Sequence, residues 1–437
     1  MVMSVCQDSI GLDFLFLEFS IFCQKYHLFR KFIIREFLED LKRIKEPPMG
    51  TDNVSRIVAF AKDWDDVPTC ITHIFREMGK TMPVLWLNSI GTRKPSMNRA
   101  RDFSRIFSRL GGLNKRAELK ENMLRVMSLP LIPKAESRLA VKFNRMIFRR
   151  LVGRELADMG EGPVEYWCSV PNAVDLLPEK DSACSSYSVI YYCVDDWSGF
   201  SHLDGIWLFS REKLLLERSD AVFTPSKFLE EKCKKIAGNR VFYVPHGVDY
   251  NKFASSLNDD MVIPSDIKGL PCPVIGFYGN IDEWVDLNLL EYLSEKRPNW
   301  SFVIIGQVYS DVARLKRFKN VYFIGKRLHD SLPSYCKGFD AAIIPYDMSD
   351  PRMRSVNPVK VKEILAAGIP VVSSNLPELE VQKLPGVILC RDKGEWIPAI
   401  EKQLALTDRK SISGAMREWD WPMRVQKIMS YVRRNNE

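Results

Sequence analysis

The stretch Ile343–Glu380, IIPYDMSDPRMRSVNPVKVKEILAAGIPVVSSNLPELE, decides how the rest of the chain is read. The run AAIIPY at residues 341–346 has the length and apolar character of a buried parallel strand. A polar loop follows. Asn357 is a capping residue type and Pro358 is pre-set for a first helical position, so the pair predicts a helix opening there. Lys360, Glu363 and Ala367 then recur at intervals of three and four along one helical face. Gly368 supplies the stop, Pro370 bars continuation, and PVVSS begins another buried strand. Strand, loop, helix, turn and strand make one βαβ unit.

Such a loop lies at the carboxyl ends of the strands, where open α/β sheets bind ligands. The free amides from Val359 onward suit a phosphate, and Lys360 adds a full positive charge in a turn where the helix dipole disfavours it. Glu363, one turn deeper, suits a pair of sugar hydroxyls. A plain βαβ unit with a solvated Lys–Glu pair is the competing reading.

Working outward, VIGFYG, SFVIIG, VYFIG, AAIIPY, PVVSS and GVILC alternate with helical stretches, the pattern of a doubly wound parallel sheet over residues 273–414. Gly276, Gly279 and Gly306 stand at or near strand ends and permit close backbone approach. They do not form a GxGxxG helix start, so a dinucleotide fingerprint is absent. Residues 251–272 are polar with Gly and Pro and read as a linker. Upstream, RIVAF, VLWLN, VEYWCSVP, SVIYYCVDDW, AVFTPS and VFYVPHGVDYNKF are the strands of a first domain, residues 51–250. Asp195 and Asp196 close one of these strands, where paired acids border a cleft and one can act as general base. Arg93, in the loop after VLWLN, is placed to meet a phosphate.

The chain has 437 residues, enough for two such domains. Its net charge of +8 favours anionic partners. Basic residues dominate Arg93–Arg154, interleaved with apolar ones, and FNRMIFRRLVGREL reads as a helix with a cationic face. No nucleic-acid module accompanies it, so an anionic membrane surface fits better, with a solvated charged face as the alternative. No run approaches a membrane span, and ten scattered Cys without a CxxC pair argue against metal ligation and for a reducing cytosol. Residues 1–50 differ from the rest: either an interfacial helix, or a leader upstream of a start at Met49. The break at EPPMGTDN favours the second.

From Arg56 to the C-terminus the chain resembles the GT-B-type glycosyltransferases of family 4, whose donor-site signature is Glu, seven residues, Glu, a small-residue turn and Pro-Val-Val. Glu363 falls on the second Glu, which the resemblance makes the ribose ligand; Ser355 falls on the first, where the group that holds the donor sugar is lost. The Asn-Pro-x-Lys variant and YYCVDDWSGF resemble the bacterial cell-surface polysaccharide, teichuronic-acid-type subgroup, and His246 takes the place of Asn in a linker passage that usually ends Asn-Gly-Val-Asp.

The resemblance implies two Rossmann-like domains facing across a cleft, with residues 415–434 crossing back onto the first. It implies a nucleotide-diphosphate sugar as co-substrate, with no cofactor and no metal. It also implies a hydroxyl acceptor, lipid-linked or glycan, at the inner face of the plasma membrane. Asp63 and Trp64, with their neighbours Asp65 and Asp66, then border the acceptor with Arg93, although an acidic cluster favourable to the following helix is the alternative. Gly279, Asn280, Tyr346, Arg354, Ser355, Asn357, Pro358, Val359 and Glu363 surround the donor. Asn280 and Trp284 stand in the loop that usually carries Arg and Lys for the diphosphate, so Lys360 inherits that charge, with Arg352 and Arg354 in reserve. Asp196 or Asp195 is the base. A nucleotide-sugar epimerase of the same architecture and a non-catalytic scaffold are the alternatives.

Overall fold

The computed structural model describes residues 54–91, 116–132, 138–179, 187–197 and 205–434. Arg93 and residues 1–50 lie outside them, as does much of the basic stretch. The described chain forms two lobes, each built on one sheet.

The first sheet has the order β3-β4-β2-β1-β5-β6-β7-β8. Its strands are β1 (Arg56–Phe60), β2 (Val84–Leu87), β3 (Glu118–Glu121), β4 (Leu124–Met127), β5 (Val164–Cys168), β6 (Tyr187–Tyr192), β7 (Ala221–Thr224) and β8 (Val241–Tyr243). The β3 pairing is antiparallel and the others are parallel. The central strands are buried on both faces, which explains why they read as unbroken apolar runs. β3 (ELKE) is an edge strand with little apolar content, and the turn residue Asn122 at φ 49° closes its hairpin onto β4. It carries no period-2 apolar signal that would mark it as a strand in the sequence.

The helix Arg138–Asp158 buries Ile147, Phe148, Leu151 and Val152 and leaves Lys142, Arg149 and Arg150 exposed. On the opposite face of the sheet lie the helix Cys70–Met78 and the C-terminal helix Trp421–Arg434, which puts Trp421, Ile428 and Val432 into the core. Burial of each such side chain stabilises by roughly 1.5–3 kcal/mol.

The second sheet is wholly parallel, in the order β11-β10-β9-β12-β13-β14. Its strands are β9 (Val274–Tyr278), β10 (Ser301–Ile305), β11 (Val321–Gly325), β12 (Ala341–Ile344), β13 (Val371–Ser374) and β14 (Val387–Cys390). The order reverses between β9 and β12, so a crevice opens at their carboxyl ends. The segment after Val248 lies against this lobe, with Phe253 and Ile267 in its core. The chain crosses between lobes at two points that pair as a parallel bridge, Val248 with Asp420.

Candidate functional site

A cleft of about 790 Å³ lies between the lobes at the carboxyl ends of both sheets. Its second-lobe wall is built on the helix Val359–Ala366, which follows β12 as the sequence implies. Its start differs from expectation. Pro358, not Asn357, occupies the cap position, and no side chain caps the helix. Asn357 instead donates its side-chain amide N–H to the Pro225 carbonyl of the first lobe (2.8 Å), and its side-chain oxygen accepts from Lys362 Nζ (3.1 Å). Asn357 and Pro358 therefore stand behind the cleft wall, while Val359, Lys360 and Glu363 line it.

Gly279 and Gly306 form the floor. A Cβ at Gly306 would fall 1.8 Å from the Gly279 carbonyl, and one at Gly279 2.0 Å from Lys360 Nζ. Both have positive φ (139° and 153°), so glycine alone lets the two strand ends and the lysine converge. Asn280 joins them in the lining. The Lys360 ammonium sits 5.1 Å from the Phe277 ring centroid and 5.5 Å from that of Tyr346. Tyr346 thus acts on the site through Lys360. Among the described residues no carboxylate forms an ion pair with Lys360.

Glu363 is buried and already engaged. Tyr278 Oη donates to one carboxylate oxygen (3.0 Å), and His329 Nε2 meets the other (2.8 Å). Burial, followed by the Glu363 charge, pushes the Tyr278 hydroxyl well above its ordinary range. A carboxylate held at both oxygens by rigid rings has its remaining lone pairs oriented before any hydroxyl arrives.

Three donor-loop residues fall away from the cleft lining. Ser355 gives its hydroxyl to the Arg352 carbonyl (3.1 Å). Arg352 pairs with Asp350 and Glu283 over the Trp284 ring, so its charge is already compensated. Arg354 is exposed. Lys326, by contrast, lines the cleft beside Arg327, whose guanidinium is tied to Asp266 (2.9 Å).

On the first-lobe wall, Asp63 and Trp64 hold their own loop together and do not reach the cleft. Asp63 accepts from the Ser89 backbone amide (3.0 Å). The Trp64 amide donates to Asn88 (2.9 Å) while its ring packs edge-on against Trp86 (5.1 Å) and under Arg76. Their neighbours Asp65 and Asp66 line the cleft instead. The acid pair divides in the same way. Asp196 is tied to Lys232 Nζ (2.8 Å), which also binds Glu212 (3.0 Å). Asp195 lines the cleft and its side chain is exposed to it. Desolvation by the protein around the cleft, then the Asp196 charge, pushes its carboxyl up to about 6.

The sequence carries no signal for His73 and His329, and it marks His246 only as a departure in the linker passage. His73, His246 and His329 all line the cleft, although their spacing carries no signal and only the fold gathers them. His73, from the first lobe, stacks on Trp421 (5.3 Å between centroids) and faces His329 at 6.3 Å. Burial lowers His73 to about 4, against the pull of Glu363, and lowers His246 to about 3, with Lys362 adding to the effect. Both rings are neutral near pH 7. The Nδ1 atoms of His246 and His329 are buried without a hydrogen-bond partner among the described residues.

The family of glycosyl transferases group 1 matches residues 272–405. TuaH of Bacillus subtilis (strain 168), provisionally assigned as a teichuronic acid biosynthesis glycosyltransferase, is 30% identical over 288 residues, covering 61% of this chain and 71% of its own. Among solved structures, sucrose-phosphate synthase from Thermosynechococcus elongatus superposes with a TM-score of 0.60 at 14% identity, covering 88% of this chain and 99% of its own. Anabaena HepE in complex with UDP and glucose gives 0.57 at 13% identity, covering 86% and 99%. A donor-type helix on the switch point of one sheet, a second, mostly parallel sheet across the cleft and a relative matched over most of its length agree: the chain belongs to the GT-B glycosyltransferases, in the teichuronic-acid type.

Proposed function

We propose that the second lobe binds a nucleotide-diphosphate sugar and that the first presents a hydroxyl acceptor, lipid-linked, for cell-surface polysaccharide synthesis. The observation that carries this reading is the pairing of Lys360 and Glu363 on one cleft-facing helix above the Gly279–Gly306 floor. Glu363 takes the ribose hydroxyls, the first-turn amides and Lys360 take the diphosphate, and the sugar projects toward Asp195. HepE, of the same fold, holds UDP and glucose, which supports a nucleotide-sugar partner.

The acceptor oxygen forms its bond to the anomeric carbon as the bond from that carbon to the diphosphate breaks. Lys360 stabilises the departing charge, and Asp195 takes the acceptor's proton. With its carboxyl near 6, Asp195 is mostly ionised at pH 7 and still a competent base. The acceptor side falls to Asp65 and Asp66 in place of Asp63 and Trp64. Protein groups carry the diphosphate charge in this reading, so transfer should survive EDTA.

Membrane contact belongs to the same proposal. No described helix is long and apolar enough to cross a membrane. The helices Arg138–Asp158 and Gly205–Arg218 meet at a small cavity lined by Val141 and Trp207. Beside it they expose Leu139 (76%), Ile206 (87%) and Phe209 along with Lys142, Arg149 and Arg150. Apolar tips among cations suit an anionic bilayer at the inner face of the plasma membrane. The function is tested by incubating purified protein with a panel of UDP- and GDP-sugars, with and without a polyprenyl-linked acceptor. Acceptor-dependent release of nucleotide is expected; donor conversion without acceptor would replace transfer by epimerisation.

A further inference from the structure

Behind the cleft, a second group of buried polar side chains joins the lobes. The two chain crossings run side by side: Val248 N donates to the Trp419 carbonyl (2.9 Å) and Trp421 N to the Val248 carbonyl (3.1 Å). One such pair of backbone bonds acts as an axle, and it does not set the angle about itself. Two second-lobe side chains reach a single turn of the first lobe, Pro225–Lys227, which is not part of that axle.

Asn357 donates to the Pro225 carbonyl (2.8 Å). Glu378, only 2% exposed, lies in the helix Pro377–Gln382 and accepts the backbone N–H of Lys227 (2.9 Å) on one oxygen. Its other oxygen accepts the Tyr243 hydroxyl and Gln382 Nε2 (2.9 Å). A carboxylate from one lobe therefore sits on the first turn of the helix Lys227–Ala237 of the other, where the helix dipole and free amides favour an anion. The Lys227 ammonium closes over the Tyr243 ring at 4.2 Å.

The motif helix belongs to both assemblies. Lys360 and Glu363 line the cleft. Lys362, fully buried, points the other way, to Asn357 (3.1 Å) and over the Trp419 ring at 4.8 Å. Opening the lobes about the axle would take Lys227 N–H and the Tyr243 hydroxyl from the Glu378 carboxylate, leaving it Gln382, and would take the Pro225 carbonyl from the Asn357 amide; buried polar groups resist losing such partners. The angle between the lobes is thereby tied to the seat of the helix that presents Lys360.

We infer that Glu378 is a positioning residue for glycosyl transfer: with Asn357 it latches the lobes at one angle and so sets the donor helix against the acceptor wall, without touching either substrate. The inference rests on the donor and acceptor placement proposed above, but the lobe angle can be read without it.

The test compares Glu378→Ala and the milder Tyr243→Phe with the parent protein. Small-angle scattering of the ligand-free protein reads the lobe angle, calorimetry with UDP and GDP reads donor-lobe binding, and initial rates read transfer. The latch predicts a larger radius of gyration for Glu378→Ala and nucleotide affinity within about twofold of the parent. It also predicts a kcat lowered about tenfold to a hundredfold, the scale of a misplaced but intact site. Tyr243→Phe should shift all three in the same directions by less, and it carries the test alone if Glu378→Ala does not fold. A folded variant with unchanged scattering would overturn the latch, as would nucleotide affinity falling in step with kcat. If the parent protein binds neither UDP nor GDP, the donor reading fails while the scattering comparison still decides the latch.

Discussion

Replacing Lys360 by Met removes one charge and keeps most of the stem, so it separates electrostatics from packing. In the ligand-free cleft the ammonium has two aromatic faces at 5.1 and 5.5 Å and no carboxylate partner among the described residues. Each ring face contributes about 0.5–1 kcal/mol, and a cation in the first helical turn costs about 0.3–1 kcal/mol. Two ring faces against one dipole cost leave about 1 kcal/mol in favour of the lysine, so the variant should melt no more than a few degrees below the parent. A diphosphate changes the balance. A full unit of charge 4 Å from the ammonium, at an effective dielectric near 20, is worth about 4 kcal/mol. Part of that charge is present when the donor binds, and more develops on the bridging oxygen as the sugar departs. Loss of one preorganised stabiliser of this kind costs about 3–4 kcal/mol in the transition state, so kcat should fall about a hundredfold or more. Donor affinity should fall less. Initial rates at saturating donor, paired with calorimetric titration of the nucleotide, measure the two quantities separately. A Met variant with near-normal kcat would refute the assignment, and Lys326 would be the next cation to remove.

Three further expectations follow from the same geometry. Glu363→Ala should weaken nucleotide binding by about 1.5–3 kcal/mol, the loss of charge-assisted hydrogen bonds; unchanged affinity by calorimetry in a folded variant would remove Glu363 as the ribose ligand. Lys362, buried and lowered to about 7, has lost its proton in the folded chain between pH 7 and its ordinary value of 10.5, whereas the unfolded chain keeps it. The unfolded state therefore binds more protons across that window, and Lys362 makes stability rise with pH there. Urea midpoints at pH 7 and pH 9 should show that rise, and Lys362→Met should reduce it; an equal rise in both would contradict the buried-lysine account. Co-sedimentation with anionic vesicles should fall steeply with added salt and should weaken in Ile206→Ser, while equal recovery on neutral vesicles would exclude electrostatic docking.

Much of the architecture is legible in the one-dimensional pattern, because a parallel sheet buried on both faces demands continuous apolar runs. VIGFYG, SFVIIG, VVSS and RIVAF could hardly serve elsewhere, and the intervening Gly and Pro residues mark where each helix stops. The placement of Lys360 and Glu363 on one helical face is equally local, set by 3.6 residues per turn. The hairpin strand ELKE was not legible, since an exposed edge needs no apolar alternation.

The partners of the site residues are tertiary facts. Nothing within the neighbourhood of Asn357 in the chain tells its amide to reach Pro225, 132 residues away, instead of capping the helix it precedes. Asp195 and Asp196 are adjacent, yet the bend after the strand turns one into the cleft and the other to Lys232. His73, His246 and His329 meet at the cleft because the lobes fold toward each other. Periodicity records which side of an element faces protein; it does not record which protein lies there. The sequence by itself therefore determined the two sheets and the face of the helix that meets a ligand. Only the tertiary structure decided which of the charged residues near that face were left uncompensated, because compensation is a matter of distance through space.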